Sequence, residues 1–138
     1  MRGGTVLAGL LLLATAAGAQ TGSLTGAAER ARRAWFSHDP AALFSSSPRV
    51  LIQLPGADPS APVSRAQAAA LLRDYVRDAE ELETSVRTAR EAGEGRGYVE
   101  LARRYRVSGT QAVRTQALLL SYQLAGDSWV LVELRISG

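Results

Sequence analysis

Apolar residues recur at helical spacing in the first third of the chain after a short linker. Leu24–Phe36 carries an apolar side chain every three or four positions, which predicts an amphipathic helix. Asp39 and Pro40 form a helix start, with Asp39 as N-cap and Pro40 in the first turn, so a short second helix should follow. Ser64 and Gln67 have the spacing of a capping box and predict a third helix after them.

Alternation of apolar and polar positions governs most of the remaining chain, except at residues 118–120, where three consecutive leucines are expected in a strand with both faces covered. It predicts one short strand between the second and third helices, at residues 49–54, and three longer strands near the C-terminus. The longer strands are expected at residues 98–107, 112–124 and 129–136. Glycine-containing turns separate them, as in hairpins.

Residues 80–89 fit two patterns. Their content of Glu, Ala and Arg suits a helix, while Thr84 and Thr88 lie in phase with Val86, as in a strand. We expect a strand; a helix here would contradict the fold assignment below. The element order then indicates an α+β domain, with N-terminal helices packed on a curved antiparallel sheet.

This order of elements resembles the nuclear-transport-factor-2-like superfamily, a cone of curved sheet wrapped around a long first helix. The resemblance covers nearly all of residues 20–138 and is most similar to small exported bacterial members of unknown function, such as the DUF4783 proteins. The positions that carry it are Leu24–Phe36 with His38 and Asp39, Leu43 and Phe44 before Val50, Ser64 with Gln67 and Ala68, Tyr105 with Arg106 and Val107, and Trp129. The superfamily includes isomerases and non-catalytic binding or dimerising domains, so the resemblance implies the fold and leaves the function open.

The first 19 residues have the pattern of a secretory signal peptide. Arg2 precedes an apolar run at residues 6–17, and Ala17 and Ala19 are the small residues that a signal peptidase requires. The run is too short for a membrane span, which needs about 20 residues. We therefore expect residues 20–138 to form a single domain that is periplasmic or extracellular, with no stable membrane insertion after cleavage near Ala19.

Composition excludes several chemistries. The chain has no cysteine and one histidine, which excludes disulfides, thiolate metal sites and cysteine nucleophiles and argues against a histidine-rich metal centre. The formal net charge is only +3, and all 16 basic residues are arginine. This near-neutral balance, without a continuous basic stripe, gives no support for nucleic-acid binding. No metal or organic cofactor is expected.

Arg103 is the most informative single position. It lies between Leu101 and Tyr105 on the apolar face of its predicted strand, where a guanidinium must find an anion. It either holds an acidic ligand at the mouth of the cone or forms an internal salt bridge. Trp35 and Tyr75 are further candidates for lining a ligand cavity beside Arg103 and Tyr105, although aromatic residues at such positions are more often simply core.

Two residues are catalytic candidates. His38 could act as a general base, although Asp39 beside it is already explained as a helix cap. Glu133 lies in phase with Trp129 and Leu131 and is the acid most expected to reach the pocket. The other acids, among them Glu80, Glu81 and Glu83, have plain surface explanations, and polar strand residues such as Gln116 are expected to point outward.

Two functions from different classes remain open, beside a third, purely structural role as a partner domain whose cone is filled by Leu and aromatic side chains. The first is a non-catalytic exported domain that binds a small molecule or a protein in or around the cone, or forms a homodimer through the open sheet face. The second is a cofactor-free isomerase or hydrolase that uses acid–base chemistry. The enzyme hypothesis requires an acid, histidine or tyrosine pair within hydrogen-bond reach of a common point in the cavity.

Overall fold

The computed structural model describes residues 23–138, so the predicted signal peptide lies outside the described residues. Within residues 23–138, three helices form where the sequence predicts them: α1 (Leu24–Phe36), α2 (Pro40–Leu43) and α3 (Arg65–Tyr75). The Asp39 carboxylate accepts a hydrogen bond from the amide of Ala42, as expected for an N-cap. Ser64 and Gln67 make both hydrogen bonds of the capping box, which confirms that prediction. None of the helices in residues 23–138 is long and apolar enough to cross a membrane.

In the described part of the chain, six strands form one open sheet. They are β1 (Arg49–Gln53), β2 (Val63–Ser64), β3 (Ala79–Glu91), β4 (Arg96–Val107), β5 (Val113–Ala125) and β6 (Ser128–Ser137). Their order across the sheet is β2-β1-β6-β5-β4-β3. Residues 80–89 are therefore a strand, as expected, and the chain is α+β. The sheet is mixed, because β1 pairs with β6 in parallel whereas the other neighbours are antiparallel.

The two faces of the sheet differ in what covers them. The helices cover one face, called the inner face here, and α1 packs mainly on β3. The core between them contains Trp35, Phe44, Leu101 and Leu134, each at most 3% exposed. The other side, called the outer face, carries exposed side chains such as Leu119, so the expectation that both faces are covered at residues 118–120 is wrong within residues 23–138. Any buried functional group must therefore lie on the inner face.

A bulge in β3 changes which of its side chains point inward. Glu81 pairs with Tyr105 and Glu83 pairs with Arg104, which leaves Leu82 as an extra residue. Strand side chains alternate between faces, so one extra residue reverses the phase of the positions on one side of it. Glu81 is consequently turned to the inner face, although simple alternation with Thr84 would place it outside.

β3 has a further irregularity between Val86 and Thr88, and another bulge occurs in β6. Ser121 of β5 pairs with Glu133, and the next residue, Tyr122, pairs with Leu131, so Val132 is extra. Leu131 and Leu134 are therefore both buried, and Glu133 between them points to the outer face. The predicted in-phase relation between Glu133 and Leu131 is wrong for this reason.

Candidate functional site

A buried ion pair joins β3 to β4 inside the cone. The carboxylate of Glu81 accepts hydrogen bonds from Arg103 Nε at 3.2 Å and from Arg103 Nη2. The Glu81 side chain is 2% exposed and that of Arg103 is 1% exposed. A carboxylate and a guanidinium in this fork geometry neutralise each other with two parallel hydrogen bonds.

Two residues near the end of α1 complete the coordination of the carboxylate. Trp35 Nε1 donates to Glu81 Oε2 at 3.2 Å, and His38 Nε2 lies 3.0 Å from Glu81 Oε1. An ionised carboxylate can accept about four hydrogen bonds, so Glu81 has no capacity left for a substrate. These contacts also tie the end of α1 to β3.

Each nitrogen of the Arg103 guanidinium also donates a hydrogen bond within the protein. Its Nη1 donates to Gln116 Oε1 at 2.9 Å, and Gln116 Nε2 in turn donates to the Tyr75 hydroxyl at 2.9 Å. Its Cζ lies 3.8 Å from the ring centroid of Tyr105 and 5.0 Å from that of Trp35. Cation–π contacts of this length stabilise a desolvated guanidinium.

These residues form one connected group, called the interior network here. Its members are Trp35, His38, Tyr75, Glu81, Arg103, Tyr105 and Gln116. The four residues expected to bind a ligand, Trp35, Tyr75, Arg103 and Tyr105, are thus brought together, with His38 beside them. Of the two expectations for Arg103, the internal salt bridge is the one that the structure contains.

His38 is the member of the interior network that reaches the surface. Its side chain is 27% exposed, and its backbone has a φ of 52°, in the left-handed region that ends the helix after Phe36. The crevice of about 10 Å³ that it lines with Trp35 and Leu72 has room for about one water molecule and not for a substrate. Asp39 turns away from His38 to cap α2, as expected.

Glu133 does not join the interior network. Its side chain lies on the outer face and accepts a hydrogen bond from Arg135 Nε at 2.5 Å. The expectation that Glu133 reaches the pocket is therefore wrong, because the bulge at Val132 reverses its side.

Sequence reasoning missed two members of the interior network. Glu81 was assigned to a charged surface run and Gln116 was expected to point outward, but both contact Arg103. In register, Gln116 pairs directly with Arg103, which places both side chains on one face. The available signal was Arg103 itself, since a buried guanidinium requires an anion on a neighbouring strand.

A wider depression lies on the outer face of the sheet. This outer cleft has a volume of about 510 Å³ and runs across β3 to β6. Tyr98 and Leu119 on its floor are 38% and 39% exposed. Charged residues of both signs surround them: Arg90, Arg96, Glu100, Glu133 and Arg135. Within residues 23–138, no group of three acidic or histidine side chains could hold a metal ion.

Comparisons with known proteins find relatives by structure alone. No family model and no curated protein sequence matches the chain. A DUF4783 family protein from Bacteroides ovatus superposes with a TM-score of 0.64 at 12% identity, covering 78% of this chain and 90% of that one. A ketosteroid isomerase-like protein from Erwinia carotovora atroseptica gives 0.66 at 14% identity, covering 83% and 92%.

A third solved structure has a similar relation to this chain. It is a hypothetical protein with a ketosteroid isomerase-like fold from Catenulispora acidiphila, in complex with trimethylamine, with a TM-score of 0.64 at 12% identity and coverage of 81% and 84%. At such identities the likeness establishes the fold and not the activity. The chain has the nuclear-transport-factor-2-like fold, shared with ketosteroid isomerase-like and DUF4783 family proteins.

Proposed function

We propose that this protein is an exported, non-catalytic binding domain that acts as a homodimer formed through the outer face of its sheet. The observation that carries the proposal is the closure of the interior network. Glu81 and Arg103 neutralise each other, and each side chain is at most 2% exposed. A general base or an anion-binding arginine must be free to reach its substrate, and these two groups are not.

The outer cleft has the features of a protein contact surface. Its floor places Tyr98 and Leu119 in the open, where the solvated side of an antiparallel sheet usually carries polar residues. Exposed apolar residues within a polar rim are typical of interaction sites. The rim here contains Glu100 and Arg135, each in register with Leu119 on a neighbouring strand.

A second copy of this chain suits the outer cleft by charge. In a two-fold dimer, the same surface patch of both copies forms the contact. An arginine of one copy can therefore meet a carboxylate of the other only if the patch contains both arginines and carboxylates. The outer cleft carries Arg90, Arg96 and Arg135 together with Glu100 and Glu133. This mixture is complementary to its own copy, whereas a patch of one sign would repel it.

The test is the mass of the protein in solution. Sedimentation equilibrium or light scattering at micromolar concentration should give a dimer for the wild type and a monomer for Leu119→Arg, which places a charge at the centre of the contact. Leu71→Arg is the matched control, since Leu71 is 43% exposed on α3, away from the outer face, and should remain dimeric. A monomeric wild type, or a dimer that survives Leu119→Arg, would contradict the proposal.

The proposal of export rests on the leader pattern at residues 1–19. Expression of the full chain in a bacterium with a functional secretion pathway should yield a periplasmic or secreted product. Intact-mass measurement should show a chain that begins at Gln20. Recovery of the uncleaved chain from the membrane fraction would contradict export with cleavage near Ala19.

Acid–base catalysis at His38 is a second candidate with one observation in its favour. His38 Nε2 lies 3.0 Å from the buried Glu81 carboxylate, the arrangement in which an acid orients a catalytic imidazole. If this candidate is correct, a screen of activated esters and enolisable ketones should find saturable turnover that both His38→Gln and Glu81→Gln remove. Turnover that persists in His38→Gln, or no turnover, would count against it.

A further inference from the structure

A second cleft lies between the first half of α1, the loop after α2 and the turn between β5 and β6. It has a volume of about 230 Å³ and shares no residue with the interior network. Its polar lining residues are Arg30, Ser45, Ser46, Tyr122 and Ser128, with Trp129 beside them. This helix-side cleft also lies on the opposite side of the sheet from the exposed floor of the outer cleft.

Tyr122 presents an unpartnered hydroxyl to the helix-side cleft. The residue is 5% exposed, yet its phenol makes no hydrogen bond to any residue in the described part of the chain. Buried tyrosine hydroxyls usually find a partner. The polar atoms that are both sealed from solvent and unpartnered in residues 23–138 are Thr84 Oγ1 and Arg106 Nε. The Tyr122 hydroxyl is not among them, so it keeps some accessible surface. Tyr122 lines the helix-side cleft and its phenol is subject to the charge of Arg30 on the same cleft, so the hydroxyl can donate to a ligand there.

Arg30 supplies a cation at the same place. It is exposed and forms no ion pair with an acid of residues 23–138, and the neighbouring Glu29 pairs with Arg32 and Arg33 at 2.6 and 3.7 Å. Burial raises the pKa of Tyr122, and the positive charge of Arg30 partly opposes this rise. The phenol therefore remains a neutral hydrogen-bond donor at physiological pH, near the positive charge of Arg30.

We propose that the helix-side cleft binds an organic carboxylate, with Arg30 pairing with the carboxylate and the Tyr122 hydroxyl donating to the same group. Among the described residues, all the polar side chains that line the cleft can donate hydrogen bonds, and none of them is a carboxylate. One guanidinium with neutral hydroxyls matches a single negative charge better than a phosphate dianion. Ala27, Leu43 and the Trp129 ring offer apolar contact to the rest of the ligand.

Phenylacetate and phenylacetamide form a matched pair of probes, because they differ only in whether the group is a carboxylate. The chain has two tryptophans, so an ¹⁵N-labelled sample gives two indole signals. Phenylacetate should shift the Trp129 indole signal saturably. The Trp35 signal should stay unchanged, because Trp35 donates to Glu81 in the interior network. Phenylacetamide should shift neither.

Variants locate the binding groups. Arg30→Gln should weaken phenylacetate binding by about tenfold or more, and Tyr122→Phe should weaken it by about fivefold, as expected for the loss of hydrogen bonds to a charged acceptor. Arg73→Gln is the matched control, an exposed arginine on α3 outside this cleft, and should bind as the wild type does. Retained dispersion of the amide spectrum shows that each variant is folded.

Further titrations with acetyl-glycyl-phenylalanine and its C-terminal amide distinguish a site for peptide C-termini from a site for small free acids. Tighter binding of the peptide acid than of phenylacetate assigns the site to peptide C-termini, and the reverse assigns it to small free acids. Equal shifts with phenylacetamide, unchanged binding in Arg30→Gln, or no saturable shift with either acid would overturn the proposal. These outcomes do not depend on whether the protein dimerises through its outer cleft.

Discussion

Glu81 and Arg103 meet between β3 and β4 as an ion pair whose two side chains are 2% and 1% exposed. Moving an ion out of water costs several kcal/mol even after relaxation, roughly as much as the attraction returns. The pair is therefore maintained by its surroundings, in which Trp35 and His38 donate to the carboxylate and Gln116 accepts from the guanidinium. Losing one partner should cost far more than losing both.

Single and double substitutions compare the stability lost with one partner of the ion pair with the stability lost when both are replaced. Arg103→Met should lower the free energy of unfolding by about 3–5 kcal/mol, because it leaves the Glu81 carboxylate buried and unpaired. The double variant Glu81→Leu with Arg103→Met should lose much less than the sum of the two single variants. Urea denaturation gives these values.

The matched control for the buried pair lies on the same two strands. Arg104 and Glu83 approach to 3.7 Å with side-chain exposures of 50% and 65%. Arg104→Met should change stability by less than about 1 kcal/mol, since solvent screens an exposed pair. Equal losses for Arg103→Met and Arg104→Met would show that burial does not set the cost.

The helices and strands were predictable because their signals are local. The apolar spacing of α1, the Asp39 cap and the Ser64 capping box each act within a few residues, and the structure contains all three elements. The strand at β3 was also predictable, since its threonines favour extended backbone. The two-residue strand β2 and the parallel pairing of β1 with β6 were not, because they depend on distant chain segments.

The interior network was only half predictable, and the bulges explain the missing half. Trp35, Tyr75, Arg103 and Tyr105 could be grouped from their positions in the predicted core. Glu81 was expected on the surface but points inward, and Glu133 was expected to point inward but lies on the outer face. In both strands, the extra residue of a bulge reverses which face the side chain occupies. A bulge has no sequence signal strong enough to place it, so the partner of Arg103 could not be identified from alternation alone.

Gln116 links Arg103 to Tyr75, and its removal should affect both. Gln116→Leu leaves Arg103 Nη1 and the Tyr75 hydroxyl without their shared partner, so the expected loss is about 1–3 kcal/mol. Gln123→Leu on the same strand is the control, since Gln123 is exposed, and it should be nearly neutral. Because Gln116 is the hydrogen-bond partner of Tyr75, Tyr75→Phe should lower the free energy of unfolding less in the Gln116→Leu background than in the wild type. Chemical denaturation measures this difference.

Two glycine-to-alanine substitutions should act in opposite directions. At Gly97 a Cβ would lie 2.9 Å from Leu24 Cδ2 and 3.2 Å from Trp129 Cζ3, so Gly97→Ala should destabilise the protein by about 1–3 kcal/mol through overpacking. At Gly26, inside α1, the nearest atom is the flexible Arg30 Nη1 at 3.4 Å, so Gly26→Ala should stabilise by about 0.5–1 kcal/mol. Thermal unfolding measures both.

The crowding at Gly97 can be relieved at Leu24. Shortening the opposing side chain in Leu24→Ala removes the two Cδ atoms that the new methyl would meet. Gly97→Ala should then cost less in the Leu24→Ala background than alone. An equal cost in both backgrounds would point to the strand backbone and not to the contact with α1.

Burial of Tyr122 should make the protein sensitive to alkaline pH. Burial raises the pKa of Tyr122 above the ordinary value of about 10, with Arg30 opposing the rise, so the folded state holds the phenol proton more tightly than the unfolded state. The resulting stabilisation is fully present below about pH 10 and is lost as the pH rises towards the folded-state pKa.

The variant Tyr122→Phe should therefore lose less stability above about pH 10 than the wild type does, because it has no phenol to ionise at this position. Tyr98→Phe is the control, since it removes a tyrosine from the outer face and leaves Tyr122 intact, and it should keep the full contribution of Tyr122 to the alkaline loss. Arg30→Gln should raise the pKa of Tyr122 further by removing the opposing charge. Difference absorbance of the phenolate between wild type and Tyr122→Phe isolates this titration, and an ordinary alkaline midpoint would show that the phenol is not buried.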